Sequence, residues 1–325
     1  MTSICIFGAG AIGGYVGARL AMKGEAEVSL VARGPHLAAM KSHGLVLKQA
    51  GETHIVHPKV TGDPSELGPQ DYIILTLKAH AVAGVIDQMQ PLIGPHTAIL
   101  FAQNGIPWWY DIGLVADVPP PDLGFLDPGG QLRSMVSPER IIGGVVFSSN
   151  EVVAPGVVAN LSPDRNMLLI GECNDHGSAR IEQLRADLTE AAIQSPPVTS
   201  IRETIWTKLL TNMSMSVLCL LTGQTARGVR DEPDLQDIIP RLLDEANAVA
   251  QSSFPGVKRL ARSGPAPDHK PSILQDYELG RAMEIDVLVR APAAFARAAG
   301  LSTPMLDFMA ALAIRQARDK GPYTG

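Results

Sequence analysis

Short apolar runs alternate with helical patterns along the first hundred residues of the chain. Apolar runs cover residues 3–7, 27–32, 71–77 and 97–102, and a helical pattern covers residues 11–23. Runs that are apolar throughout are typical of strands buried on both faces, because helices cover both sides of a parallel sheet. The pattern therefore predicts a doubly wound α/β fold.

The rest of the chain divides into a sheet-forming part and a helical part. Residues 44–57 predict a local hairpin, and further strands are predicted at residues 141–147, 152–161 and 168–171. From residue 200 onward almost every pattern is helical. We therefore place a domain boundary near residue 196, which gives a sheet domain at 1–196 and an all-helical domain at 197–325.

Residues 107–138 interrupt the strand and helix patterns. The segment is rich in proline, glycine and aspartate and contains PPPD and DPGG. Proline and glycine favour turns over regular elements. We therefore predict a long surface excursion from the first domain.

Composition narrows the class of protein. Apolar residues make up 46% of the 325 residues, enough for a packed core, which excludes a disordered chain. The net charge of −6 excludes a generally basic surface for nucleic acid. The amino terminus lacks the features of a signal peptide, and residues 209–221 are shorter than the ~20 residues that span a bilayer. Three widely spaced cysteines suit a reducing compartment, so we expect a soluble cytoplasmic protein without nucleic-acid or membrane partners.

The first predicted strand runs directly into a glycine-rich turn. The turn is a GxGxxG sequence, formed by Gly8, Ala9, Gly10, Ala11, Ile12 and Gly13. Its glycines permit a tight turn, a close approach of the backbone to a pyrophosphate, and close packing of the helix on the strand. The anion then lies at the positive end of the helix dipole. A plain strand–helix turn is the alternative, but this context predicts a Rossmann-type dinucleotide site formed by these six residues.

The end of the second strand favours NADP(H) as the cofactor. An NAD site commonly has an acid ~20 residues beyond the glycine motif, which binds the ribose hydroxyl. Here no acid occurs between residues 28 and 37, and Arg33 stands 20 residues after Gly13. A guanidinium at that point can pair with a 2′-phosphate. The alternative is an ordinary exposed arginine at the start of a helix.

Two further polar residues follow predicted strands at the edge where doubly wound sheets bind ligands. Lys78 follows the strand at 71–77, and Asn104 follows the strand at 97–102. Lys78 is equally compatible with a solvated loop, and Asn104 before Gly105 with turn chemistry alone. Their positions make both residues candidates for the site.

The first helical pattern of the second domain, residues 200–222, is apolar nearly all round, which is typical of a buried helix. One polar stripe recurs every four residues along it, formed by Thr204, Lys208, Asn212 and Ser216. Burial lowers the pKa of an ammonium group, which makes a buried lysine a better proton donor near neutral pH. Lys208 is therefore a candidate catalytic residue, and a lysine that reaches solvent from the helix is the alternative.

A later helical pattern begins at Pro271 and is predicted to continue through Glu284. Spacing alone does not single out Ser272 or Glu284 as site residues, because a serine often caps a helix and an acid often lies on a surface. His54 and His57 do not predict a metal site, because residues three apart on a strand point to opposite faces.

Taken together, these segments resemble the ketopantoate reductase (2-dehydropantoate 2-reductase) family. The resemblance rests on five blocks in order, GAGAIGG at 8–14, LTLKAH at 75–80, QNG at 103–105, IWTKLLTN at 205–212 and KPSILQDYELGRAMEID at 270–286. It implies a Rossmann domain, a helical domain for substrate binding and dimerisation, and NADPH-dependent reduction of a 2-oxo acid. The implied reaction converts 2-dehydropantoate to pantoate in pantothenate and coenzyme A biosynthesis.

The resemblance also implies roles for individual residues. Lys208 matches the catalytic lysine of the family, and Glu284 matches an active-site glutamate near that lysine and the cofactor. Substrate or nicotinamide contacts are implied for Asn104, Asn212 and Ser272, and cofactor contacts for Arg33 and Lys78. Ser216 stands where the family commonly has asparagine, so the substrate there is expected to lose a partner or to carry a bulkier group. The alternatives are reduction of another 2-oxo acid, activity on a β-hydroxyacid, and a non-catalytic NADP sensor.

Overall fold

The computed structural model describes residues 1–116, 119–260, 268–320 and 323. The chain forms two compact units. The first unit comprises Met1–Gln103, Ile112–Val115 and Gly130–Ile201, and the second comprises Asn104–Asp111, Ala116–Gly129 and Arg202–Gly325. The chain therefore passes between the units several times, whereas the sequence pattern places one boundary near residue 196.

The first unit contains two sheets. Its strands are β1 (Thr2–Phe7), β2 (Ala26–Val31), β3 (Leu45–Gln49), β4 (Glu52–Val56), β5 (Lys59–Thr61), β6 (Gln70–Leu75), β7 (Ile93–Ala102), β8 (Ile141–Phe147), β9 (Asn150–Ala154), β10 (Val157–Asn160) and β11 (Met167–Glu172). Seven of them form the main sheet in the order β11-β8-β7-β6-β1-β2-β5. Every pair in this sheet is parallel except β11 with β8.

The central strands of the main sheet are buried on both faces. Ile4, Ile6, Ile74 and Leu100 are each completely buried, as the continuous apolar runs predict. The predicted Rossmann-type α/β fold is confirmed. In such a sheet the carboxyl ends of parallel strands share one edge, which is where ligands bind.

A separate sheet is built from two hairpins in the order β4-β3-β10-β9. The antiparallel pair β3 and β4 is the hairpin predicted at residues 44–57. Its two-residue turn uses Ala50 and Gly51 with φ of 52° and 82°, the left-handed values that a tight hairpin turn requires. The parallel pairing of β3 with β10 joins the two hairpins.

The helices are α1 (Ala11–Lys23), α2 (Gly34–His43), α3 (Ala79–Val82), α4 (Gln131–Met135), α5 (Ala179–Glu190), α6 (Ile201–Thr211), α7 (Val217–Thr222), α8 (Ala226–Asp231), α9 (Ile238–Ser253), α10 (Ser272–Glu278), α11 (Ala291–Ala298) and α12 (Pro304–Lys320). From Arg202 onward the second unit is helical among its described residues. Two π-helical segments, Asn212–Ser216 and Asp286–Arg290, interrupt the regular helices there.

One helical run in the described part of the chain, Ile201–Thr222, has 22 residues and is apolar enough to cross a membrane. The run is longer than the apolar stretch at 209–221 because α6, the first π segment and α7 are continuous. However, 61% of its most apolar window is buried inside the structure, as in the core helix of a soluble protein.

The prediction of a surface excursion at 107–138 is wrong for its first part. Trp108, Trp109 and Tyr110 are only 4%, 1% and 1% exposed and belong to the second unit. The segment also contains α4, whose Leu132 is buried. Proline and glycine content reports backbone conformation, whereas the aromatic side chains decide burial. Residues 117 and 118 of this segment lie outside the described residues.

The predicted helix from Pro271 through Glu284 is also wrong in its extent. Helix α10 ends at Glu278, and Gly280 has a φ of 62°, a left-handed conformation that stops a helix. Glu284 lies in an irregular stretch just before the second π segment. Pro271, and not Ser272, is the residue that caps α10, and its side chain makes no cap hydrogen bond.

Candidate active site

The glycine motif forms a tight turn between β1 and α1. The amides of Gly8 and Ala9 both donate to Val31 O, over 3.1 and 3.0 Å, and the Gly10 amide donates to Gly8 O over 2.7 Å. The amides of Ala11, Ile12 and Gly13 are the first of α1 and have no acceptor within the helix. These amides are therefore placed to receive an anion at the positive end of the helix.

The three motif glycines differ in the space around them. A Cβ at Gly13 would meet Thr76 Oγ1 and lie 2.5 Å from Gly8 O, and a Cβ at Gly8 would lie 2.6 Å from Leu77 Cδ2. At Gly10 a Cβ would meet nothing within 4 Å. The packing of the protein therefore requires glycine at 8 and 13 but not at 10. Open space beside Gly10, next to the helix amides, fits the pyrophosphate of a dinucleotide.

Two residues that the sequence did not predict as site residues support this turn. The Thr76 hydroxyl donates to Gly8 O over 2.7 Å, and Gln103 Nε2 donates to Leu77 O over 2.9 Å. Both residues follow strands of the main sheet and lie within the LTLKAH and QNG blocks. Their positions at the carboxyl ends of β6 and β7 were the available signal.

The predicted cofactor residues Arg33 and Lys78 also lie at the carboxyl ends of parallel strands. Arg33 follows β2, is exposed, and occupies the N-cap position of α2. Lys78 follows β6, is half-buried, and occupies the N-cap position of α3. Arg33, Lys78 and the glycine turn thus lie on one edge of the main sheet, because β2, β1 and β6 are adjacent and parallel.

Three of the predicted site residues form a hydrogen-bonded chain in the second unit. Lys208 Nζ donates to Asn104 Oδ1 over 2.6 Å, and Asn104 Nδ2 donates to Glu284 Oε2 over 2.9 Å. An ammonium group only donates and a carboxylate only accepts, so the Asn104 amide has one possible orientation. We refer to Lys208, Asn104 and Glu284 as the polar trio.

The polar trio is shielded from solvent to different degrees. Glu284 is 7% exposed, Lys208 and Asn104 are half-buried, and the α6 neighbours Trp206 and Leu209 are fully buried. Burial of ionised groups is tolerated when they are hydrogen-bonded and a charge of opposite sign is near. The arrangement holds a cation close to a carboxylate through one amide, which suits a group that delivers a proton to a reacting oxygen.

The remaining predicted substrate residues lie outside the polar trio. Asn212 is half-buried and begins the first π segment, one turn after Lys208, and Ser216 ends that segment and is 8% exposed. Ser272 is exposed at the first residue of α10. A π segment at the polar stripe is notable because such bulges occur frequently at functional sites.

The sequence matches two profiles of one family. The profile "Ketopantoate reductase PanE/ApbA" matches residues 4–173, and its C-terminal companion matches residues 200–316. A 2-dehydropantoate 2-reductase of Mesorhizobium japonicum is 39% identical over 326 residues, covering 99% of both chains. A 2-dehydropantoate 2-reductase of Pyrococcus horikoshii is 24% identical and covers 93% of both.

Solved structures show the same fold over the whole chain. A putative ketopantoate reductase of Ralstonia solanacearum is 32% identical, with a TM-score of 0.82, covering 98% of this chain and 99% of that one. A D-mandelate dehydrogenase with NADH and anilino(oxo)acetate is 21% identical, with a TM-score of 0.78 and the same coverage, and shows the fold alone. On the full-length matches, the chain belongs to the ketopantoate reductase (2-dehydropantoate 2-reductase) family of oxidoreductases, which act on CH–OH groups.

Proposed function

We propose that the protein uses NADPH to reduce a 2-oxo acid to a 2-hydroxy acid, and that the acid is 2-dehydropantoate, on the route to pantothenate and coenzyme A. The proposal rests on the two hydrogen bonds that connect Lys208 through Asn104 to Glu284. The names of the full-length relatives support the choice of substrate.

Ketone reduction needs a hydride at carbon and a proton at oxygen, and a bound nicotinamide supplies the hydride. The ammonium of Lys208 stabilises the negative charge that develops on the ketone oxygen and donates the proton to it. An ammonium has three N–H donors, so the bond to Asn104 Oδ1 fixes the direction of the other two. Lys208 is therefore the general acid of the proposed reaction.

Asn104 and Glu284 hold that acid in place. The carboxylate of Glu284 accepts from the Asn104 amide, which stops the amide from rotating and keeps its oxygen toward Lys208. A general acid must lie within hydrogen-bond reach of the atom that it protonates, so this restraint bears directly on the rate. Substrate contacts are proposed for Asn104, Asn212, Ser216 and Ser272, and a cofactor contact for Asn104 and Glu284 as well.

Arg33 is proposed to set the preference for NADPH over NADH. Arg33→Ala is expected to raise the KM for NADPH ~10-fold, since a lost hydrogen bond to a charged group costs about 1.5–3 kcal/mol. The KM for NADH is expected to stay the same, because NADH has no 2′-phosphate. Steady-state kinetics with each coenzyme measure both values. Lys41→Ala, at an exposed lysine of the same helix, is the control, and an equal change for both coenzymes would contradict the role of Arg33.

A substrate panel tests the proposed reaction. We expect kcat/KM to be highest for 2-dehydropantoate with NADPH, and ~10²-fold lower for 2-oxoisovalerate, which lacks the hydroxymethyl group. The panel also contains pyruvate and phenylglyoxylate as 2-oxo acids, and 3-hydroxyisobutyrate with NADP⁺ as a β-hydroxyacid. Greater activity with any of these would replace 2-dehydropantoate as the substrate. Tight NADPH binding without turnover of any acceptor would instead favour a non-catalytic sensor.

Location and assembly are also proposals. A cytoplasmic location is supported by Cys5, Cys173 and Cys219, which are all buried and form no disulfide within the described residues. Burial raises the pKa of the Cys5 thiol to about 12 and that of Cys219 to about 11, so both stay protonated and unreactive. A homodimer formed through the helical unit stays a prediction from the family resemblance.

A further inference from the structure

The segment that carries Asn104 is attached to the element that carries Glu284. Gly105 has a φ of 73°, and a Cβ there would lie 2.6 Å from the Val287 carbonyl carbon. The Ile106 amide donates to Val287 O over 3.0 Å. Val287 lies three residues after Glu284, in the second π segment. The backbone at 105–106 is therefore fixed against the stretch that holds Glu284.

The same segment is also attached to the Lys208 helix at its other end, through Tyr110. Arg202 Nε donates to Tyr110 O over 2.7 Å, and Trp206 Nε1 donates to Tyr110 Oη over 2.8 Å. Arg202, Trp206 and Lys208 all belong to α6. Tyr110, Arg202 and Trp206 are 1%, 0% and 0% exposed, so both bonds are shielded from water.

We infer that Tyr110 is a positioning residue for the proposed reaction, because its buried hydroxyl bond to Trp206 sets the distance between Asn104 Oδ1 and Lys208 Nζ. The segment 104–110 has two anchors, Val287 beside Glu284, and the α6 residues Arg202 and Trp206 that bind Tyr110. Loosening the second anchor lets Asn104 move with Glu284 and away from the helix. This inference rests on the proposed role of Lys208.

Burial alone does not account for the bond between Tyr110 and Trp206. The indole N–H of Trp109, one residue earlier, is buried and has no hydrogen-bond partner in the described part of the chain. Tyr110 also packs its ring against Phe295, with centroids 5.1 Å apart, and phenylalanine would keep this contact. The hydroxyl is thus the part of the Tyr110 side chain that forms a hydrogen bond to α6, whereas the ring fills the core.

Tyr110→Phe tests the inference directly. We expect kcat to fall ~10-fold, because a shift of about 1 Å in a catalytic group costs up to 10²-fold. The Kd for NADPH, measured by fluorescence titration, is expected to stay within about twofold, since the glycine turn is untouched. The deuterium isotope effect with 4-deuterated NADPH is expected to rise, because misplacing the acid slows the chemical step itself.

A matched control separates positioning from general loss of stability. Tyr72→Phe also removes a hydroxyl hydrogen bond, of 2.8 Å to Arg180 O, from a tyrosine that is 5% exposed in the first unit. Its melting temperature is expected to fall by an amount similar to that of Tyr110→Phe, with kcat unchanged. A wild-type kcat in Tyr110→Phe, or an equal fall of kcat in both variants, would overturn the inference.

A second variant keeps the test decisive if Tyr110→Phe does not fold. Trp206→Phe removes the donor of the same bond, so it is expected to lower kcat and raise the isotope effect in the same way. The double variant is expected to lower kcat no further than the more affected single variant, because both changes break one bond. Full activity in Lys208→Ala would refute the proposed function. Loss of activity in Lys208→Ala together with unchanged activity in Trp206→Phe would refute only the role of Tyr110.

Discussion

Lys208→Ala is expected to lower kcat by ~10²–10⁴-fold, the range for a lost general acid. The change removes the cation that donates to Asn104 Oδ1, so the proposed reaction loses both the proton and the charge that stabilises the developing oxyanion. The measurement is NADPH oxidation at saturating 2-dehydropantoate. Because Lys208 lies outside the glycine turn, the Kd for NADPH is expected to change little.

Lys258→Ala is the control for Lys208→Ala, at an exposed lysine of the same helical unit, and its kcat is expected to equal that of the wild type. Near-wild-type turnover in Lys208→Ala would remove Lys208 from the reaction. Circular dichroism of both variants confirms that a fall in kcat reports chemistry and not unfolding.

Gly13→Ala is expected to weaken NADPH binding ~100-fold and to destabilise the fold by about 1–3 kcal/mol. The added Cβ overpacks the turn against Gly8 O and the Thr76 hydroxyl, which shifts the amides that receive the anion. Losing two charge-assisted amide bonds costs about 3 kcal/mol, and 1.4 kcal/mol is tenfold in affinity. Urea unfolding gives the stability, and fluorescence titration gives the Kd.

Gly10→Ala provides the informative contrast to Gly13→Ala. A Cβ at Gly10 meets nothing in the protein, so the free energy of unfolding is expected to change by less than about 1 kcal/mol, while NADPH binding weakens ~100-fold as for Gly13→Ala. Gly84→Ala, where a Cβ is also unopposed, should leave both quantities unchanged. Normal NADPH affinity in Gly10→Ala would contradict a pyrophosphate site at this turn.

The main sheet could be predicted because each of its central strands is a continuous apolar run. β8 is observed at the predicted bounds of 141–147, and β1 differs from its prediction by one residue. The second sheet was not predicted as a sheet. The local pattern at 44–57 indicates the first hairpin, but the parallel pairing of β3 with β10 joins residues more than a hundred positions apart, which periodicity does not encode.

The candidate site was predictable in part. Spacing alone placed Lys208 on a polar stripe of an apolar helix, because that signal is local. Asn104 was a candidate because it follows a predicted strand, whereas only the family resemblance indicated Glu284, which is 180 residues away from it. The left-handed turn at Gly280 was missed because an apolar period continues on both sides of it. The burial of the aromatic residues at 108–110 was not predicted, because the proline and glycine content of 107–138 was interpreted as a surface excursion.

The two π segments let the helices of the candidate site hold one residue more than a uniform α-helix would. A π turn is a helical turn that holds one residue more than an α turn, through hydrogen bonds from i to i+5. Deleting a single residue from Asn212–Ser216 would restore a uniform α-helix and leave the residues after it in nearly the same phase relative to Lys208, because the π turn accommodates the extra residue. The segments 212–216 and 286–290 are therefore the points where these helices are expected to absorb a one-residue deletion, whereas a deletion elsewhere in them would rotate everything after it by about 100°.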